Sequence, residues 1–143
     1  MKLHIITIGQ PKHSYAQDGF ATYTQRLSKL HTLRVTHIPD KHNDSEHILA
    51  HAGAAHKVAL VIDGTQLTSE ELADFLTKTE LDAREVCFII GGPDGLPQSV
   101  IAASDTQLSL SKLTFPHDLA MLILSEALYR ASTIQAGHPY HRA

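Results

Sequence analysis

The chain lacks tryptophan and holds a single cysteine and two methionines in 143 residues. One thiol cannot close an intramolecular disulfide, so no covalent framework staples this fold. Cys87 sits inside an apolar run and reads as a buried core thiol in a reducing compartment. Long hydrophobic runs are missing as well. Nothing approaches the ~18 consecutive apolar residues of a membrane span. The opening Met1–Gly9 reads as a strand, without the small-residue cleavage site of a secretory signal. There is no excess of positive charge either: 12 Lys and Arg face 15 Asp and Glu, a formal −3, which gives no argument for nucleic acid. With 43% hydrophobic and 19% charged residues, wholesale disorder is excluded. These absences leave one cytoplasmic globular domain over residues 1–143, with no membrane association.

What charge there is lies unevenly. Residues 1–56 carry 6 Lys/Arg, 4 Asp/Glu and 8 of the 11 histidines, whereas residues 57–126 carry 4 basic and 11 acidic side chains. Past that stretch stand Arg130, Arg142, His138 and His141 with no acid. The two ends can form a mildly basic face, strengthened wherever histidines take a proton.

Apolar β-branched runs alternate with helical patterns, the signature of an α/β domain built on a mostly parallel sheet with helices on both faces. Strands are predicted at Leu3–Ile8, Leu33–Ile38, Val58–Ile62 and Val86–Ile90, with a fifth near Gln107–Leu110. Phe20, Tyr23, Leu27 and Leu30 recur at helical spacing, and Thr68-Ser69-Glu70-Glu71 reads as a capping box before Leu72, Phe75 and Leu76. Pro97 suits the first turn of a short helix reaching about Ser104. The last helix is expected from an Asp118 N-cap to about Ile134. Its start, Leu119–Leu124, is apolar all round, which points to burial on more than one side; a second copy of the chain is the favoured further cover, with a central helix in a monomer as the alternative. Lys41–His56 reads as a histidine-rich helix.

Four segments carry side chains suited to chemistry. Ile89-Ile90-Gly91-Gly92-Pro93-Asp94-Gly95 is a strand ending in a glycine turn, where a ligand can approach backbone directly; it is neither a dinucleotide fingerprint nor a P-loop, and taken alone it is better explained as an ordinary turn. Leu108–His117 offers hydroxyls and backbone amides between the fifth strand and the last helix, a lining for a nucleoside or a plain connection. The tail Gly137-His138-Pro139-Tyr140-His141-Arg142 supplies a proton acceptor, a stacking ring and a phosphate partner within six residues. His47 and His51 stand four apart on a helix, but the zinc-protease pattern needs Glu where Ile48 stands and no third ligand is evident, so no metal is expected.

In this order and spacing, the glycine turn, Leu110-Ser111-Lys112-Leu113-Thr114-Phe115-Pro116-His117, Glu126-Ala127-Leu128-Tyr129-Arg130-Ala131 and the terminal His138–Arg142 resemble the SPOUT methyltransferases. Within that class the chain is similar to the branch that methylates N3 of a pseudouridine in large-subunit ribosomal RNA. The resemblance implies a C-terminal trefoil knot, an obligate homodimer with cofactor sites at the subunit interface, and S-adenosyl-L-methionine as methyl donor. Carried over by position, cofactor contacts fall on Leu60, Gly92, Ser111, Lys112, Leu113, Thr114, Phe115 and Pro116. His138, His141 and Arg142 become candidates for the base or the anion-stabilising cation, with Tyr140 placing the base. Met121 stands where the family carries arginine, removing a cation near the RNA or cofactor, and Val61 where an acid is usual. With so few cations, the expected partner is ribosomal RNA within the assembled ribosome rather than naked RNA. Two other readings stay open on sequence: a knotted homodimer that binds RNA or serves structure without catalysis, and a SPOUT enzyme acting on another RNA.

Overall fold

Five strands and five helices alternate along the chain in the computed structural model, which describes residues 1–83 and 85–142. They are β1 (Lys2–Ile8), α1 (Ser14–Leu27), β2 (Thr32–Ile38), α2 (Ser45–Ala52), β3 (His56–Gln66), α3 (Ser69–Asp82), β4 (Glu85–Ile90), α4 (Gln98–Ala103), β5 (Thr106–Ser109) and α5 (His117–Ala136). The strands form one sheet in the order β2-β1-β4-β3-β5, and every pairing in it is parallel. An all-parallel sheet must be covered on both faces, so its inner strands are nearly continuous apolar runs. β1 is buried on both faces from Leu3 through Ile8, with His4 and Thr7 interrupting its apolar run.

The period of two within the strands divides the core. Leu3 and Ile5 of β1, with Val86, Phe88 and Ile90 of β4, face α1, α3 and α5. Ile6, Ile8, Cys87 and Ile89 face the other way, onto α2 and α4. Cys87 is fully buried, and burial pushes its thiol up to about 12, so it stays protonated as a core group. On α5, Met121, Leu124, Leu128 and Ala131 form one buried stripe at spacings of three and four. Met121 therefore fills the core. In place of the expected loss of a cation at an RNA or cofactor surface, the position is an interior one.

Local signals act where the sequence put them, with four adjustments. The capping box forms: Glu71 N donates to Thr68 Oγ1 at 3.1 Å and Thr68 N to Glu71 Oε1 at 2.8 Å. Pro97 is the N-cap of α4 rather than its first residue. The histidine-rich segment splits into a 3-10 turn (Asp40–His42) and the short α2, which Asp44 caps by accepting from His47 N at 2.8 Å. α5 begins at His117 with Pro116 as N-cap, so Asp118 lies inside the helix and its carboxylate serves elsewhere. β3 runs past Leu60 to Gln66, because Leu60 and Thr65 both pair with Leu108 and Val61–Gly64 bulge out between them. Gly64 permits this: a Cβ there would sit 2.7 Å from the Leu108 carbonyl carbon.

No helix among the described residues is long and apolar enough to cross a membrane.

Candidate active site

A cleft of about 660 Å³ opens beyond the carboxyl ends of β3, β4 and β5, where ligands of open parallel sheets bind. One wall is the β3 bulge, Leu60, Val61 and Ile62. The floor is the end of β4 and its turn, Ile90, Gly91, Gly92, Pro93, Gly95 and Leu96. The turn is pinned by Gly95 N donating to Gly92 O at 2.9 Å, with Gly95 at φ +76. A Cβ on Gly91 would lie 2.6 Å from the Gly95 carbonyl carbon, so the turn closes only around hydrogen at that position. The opposite wall is the β5–α5 connection, Leu110, Ser111, Leu113, Thr114, Phe115 and Pro116, followed by His117 and Ala120 of α5. Ser111 shapes that loop, its Oγ accepting from Leu113 N at 3.0 Å while its carbonyl accepts from Ser109 Oγ at 2.9 Å.

Of the residues singled out in sequence, Leu60, Gly92, Ser111, Leu113, Thr114, Phe115 and Pro116 all line this cleft; Lys112 is exposed and does not. Sequence reasoning missed the bulge residue Ile62 and gave His117 no role, though it stands in the quoted motif. Ile62 and Leu113 are 51% and 71% exposed, apolar lips on an open mouth.

Asp118 holds the cleft to the next loop. It is buried, and its Oδ2 accepts from the backbone N–H groups of Lys12 and His13, both at 2.7 Å. Burial alone would raise this carboxyl. The two amide bonds, with the imidazoles of His117 and His13 nearby, outweigh it and hold the group below the usual carboxylate range.

The tail lies elsewhere on α5. Gly137, at φ +74, reverses the chain, and His138 N donates to Thr133 O at 2.9 Å. Tyr140 then packs back on the helix: its ring meets Tyr129 edge-on at 4.7 Å and lies 4.9 Å beneath the Arg130 guanidinium. His141 commits both ring nitrogens, Nε2 to Glu70 at 2.6 Å and Nδ1 to Arg130 Nη1 at 3.0 Å. His138 and Arg142 are exposed. With 1.5 Å of rise per residue, Glu126 stands about 9 Å along the helix from Ala120 at the cleft, so within one chain the tail and the cleft are separate.

The histidines divide in the same way. His42 and His47 stack at 4.0 Å, and His47 Nδ1 is 2.8 Å from Asp44. His56 bonds Thr106 Oγ1 at 2.9 Å, and His51 is exposed. His4, His31 and His37 are held below the usual imidazole value, chiefly by burial, and so add no charge to a basic face near neutral pH. Among the described residues, no group of three or more His, Cys, Asp or Glu side chains is placed to hold a metal ion.

Comparison with known proteins agrees with this architecture. Residues 1–141 match the family model described as predicted SPOUT methyltransferase. The protein called ribosomal RNA large subunit methyltransferase H in Deinococcus radiodurans is 45% identical over 99% of each chain. Its namesake in Thermus thermophilus is 39% identical over 99% of each, and that in Bacillus pumilus 38% over 99% of this chain and 100% of its own. A solved structure, a probable methylase family protein from Haemophilus influenzae, superposes with a TM-score of 0.59 at 10% identity, covering 99% of this chain and 70% of that one, which shows the fold. With a full-length family match, relatives well above 30% identity and a cleft framed by the motif residues, this chain belongs to the SPOUT methyltransferase family, beside the proteins named ribosomal RNA large subunit methyltransferase H.

Proposed function

We propose that this protein transfers a methyl group from S-adenosyl-L-methionine to N3 of a pseudouridine in large-subunit ribosomal RNA. It does so as a cytoplasmic homodimer acting on the assembled ribosome. The observation that carries the reading is the cleft itself: one pocket at the carboxyl edge of the sheet, lined by seven of the eight positions to which the family resemblance assigns cofactor contact.

The residues present suit that ligand. The volume, about 660 Å³, is in the range of pockets that enclose a nucleoside-sized molecule. Leu60, Ile90, Leu110 and Phe115 offer apolar walls for an adenine ring, and the backbone of the Gly91–Leu96 turn and of Ser111–Pro116 offers polar groups for ribose and amino-acid parts. When bound, the cofactor supplies an electrophilic methyl group on a sulfonium. The chain's part is then to orient the ligand, exclude water and bring a nucleophile into line at short range.

The tail completes the site from a second copy. His138, Tyr140, His141 and Arg142 are proposed to reach the partner's cleft mouth, with His138 and Arg142, exposed here, meeting RNA phosphate and base. The exposed Ile62 and Leu113 supply apolar area for that union. Lys112, exposed beside the cleft, adds a cation for the RNA. At −3 per chain such a dimer holds naked RNA weakly, so the shape of the ribosome supplies the remaining affinity.

The test incubates the purified protein with labelled S-adenosylmethionine and ribosomes lacking the modification, followed by mass spectrometry of the digested RNA. Label on a pseudouridine of the large subunit, and sedimentation as a dimer, are expected. Label confined to small-subunit or transfer RNA, or no cofactor binding by the folded protein, would overturn the reading.

A further inference from the structure

Removing the proton from a pseudouridine N3 needs an acceptor. In the tail, both ring nitrogens of His141 are already bonded, and His138 is proposed above to meet RNA. Inside the cleft the titratable side chain is His117.

Its surroundings are specific. His117 is the first residue of α5, with a side chain 18% exposed, and its Nε2 stands 3.1 Å from Asp118 Oδ1. Asp118 is 2% exposed. Its Oδ2 is saturated by the amides of Lys12 and His13, which fix the carboxylate in place. Oδ1 is buried and has no aligned hydrogen-bond donor among the described residues, although the imidazole is so near. A buried acceptor without an aligned donor is costly. With Nε2 3.1 Å away, the carboxylate is near enough to stabilise positive charge that develops on the ring. The carboxylate also counters the positive end of α5, which would otherwise oppose a cation at this position. A buried carboxylate at that distance suits a group that takes up a proton in the course of the reaction.

The geometry points to His117 as the proton acceptor of the reaction, with Asp118 as the positioning residue that holds and then neutralises it. The inference rests on the function proposed above. The pseudouridine N3–H bond breaks, its electron pair stays on nitrogen, and the proton passes to the imidazole and on to water. That nitrogen pair forms the bond to the methyl carbon as the carbon–sulfur pair returns to sulfur, leaving a neutral thioether. The titratable side chain beside the pair is His13, from the β1–α1 loop.

The full-length protein is tested with unmodified ribosomes by three measurements: cofactor affinity by calorimetry, single-turnover transfer across pH, and Asp118 carboxyl titration by carbon NMR. His117→Ala is expected to keep cofactor affinity within about threefold while transfer falls about 100-fold or more. Added imidazole restores part of the rate, which a merely structural defect would not allow. The Asp118 carboxyl titrates higher in this variant, because the imidazole that helps to lower it is gone. Asp118→Asn keeps an oxygen for the Lys12 and His13 amides, so it is expected to fold, bind cofactor and transfer more slowly. Full transfer by His117→Ala at every pH, loss of cofactor binding in step with rate, or no response to imidazole would each overturn the inference while leaving the proposed function standing. A wild-type protein that methylates no ribosomal RNA would overturn both.

Discussion

The hydroxyl of Tyr140 donates to Glu126 Oε2 at 2.9 Å, and the same carboxylate oxygen takes Arg130 Nη2 at 2.9 Å. One carboxylate in the middle of α5 thus fastens the chain's last residues and orients the arginine that lies over the Tyr140 ring. Burial first, then hydrogen bonding with Tyr23 and Glu126, raises the Tyr140 phenol, so it remains a donor throughout the working pH range. Tyr140→Phe keeps the ring packed against Tyr129 and removes only the donor. The expected loss is about 1 kcal/mol of stability, with faster amide exchange over residues 137–142 and unchanged cofactor affinity. Exchange as slow as in the wild type would show that the ring alone docks the tail.

Gly91→Ala tests the floor of the cleft. The added methyl meets the Gly95 backbone at 2.6 Å, so the turn must open. Backbone is not a flexible side-chain tip that can swing aside. Cofactor affinity is expected to fall at least tenfold, with stability lowered by roughly 1–3 kcal/mol. Calorimetric titration and urea unfolding measure the two effects separately. Gly95→Ala meets no neighbour and bears only its positive φ, so it should be milder; the reverse order would mean the turn is not closed as described.

Elements whose cause is local could be read in the sequence. β1 and β4 are short runs rich in isoleucine and other buried residues, and the capping box at Thr68 needs only its own four residues. What escaped were relationships set by tertiary approach. Gly64 looks like any glycine until β5 lies against it and turns Val61–Gly64 outward to make a wall of the cleft. Asp118 has the chemistry of an N-cap, yet it caps the amides of Lys12 and His13, more than a hundred residues earlier. The cleft residues were found through their motif, whereas the docking of Tyr140 on Glu126 depends on a chain reversal at Gly137 that spacing does not disclose.

Met121→Arg restores the residue that relatives are expected to carry. Here the position is 0% exposed and packed in the α1–α3–α5 core, so the guanidinium would enter without a partner. The expected cost is about 3–5 kcal/mol, read by urea denaturation. Met121→Leu, conserving volume, should cost less than about 1.5 kcal/mol. An arginine variant as stable as the parent would show that the helix can present this position to a partner or solvent.

Stability should fall with pH well before the carboxylates titrate. His4 is 0% exposed, with Nε2 on Thr36 Oγ1 at 2.7 Å and Arg34 Nη2 3.2 Å from Nδ1. Burial first, then the charges of Arg34 and His51, lower it from 6.5 to about 4. His31 and His37 shift the same way, again mainly through burial. Each folded value lies below the unfolded one, so in the window from 6.5 down to about 4 the unfolded chain binds more protons. The contribution of the neutral rings is therefore complete above 6.5 and is lost as pH drops, on the order of 3 kcal/mol for His4 alone. Asp44 and Glu70 have lowered carboxyls, favoured by hydrogen bonds to their ionised forms, and they add a loss at lower pH still. The measurement is Tm against pH for the wild type and His4→Gln, whose amide can still bond Thr36 but does not titrate. The wild type should lose Tm steadily through that window and the variant should show a shallower slope; equal slopes would mean His4 finds solvent or a new partner when it takes its proton.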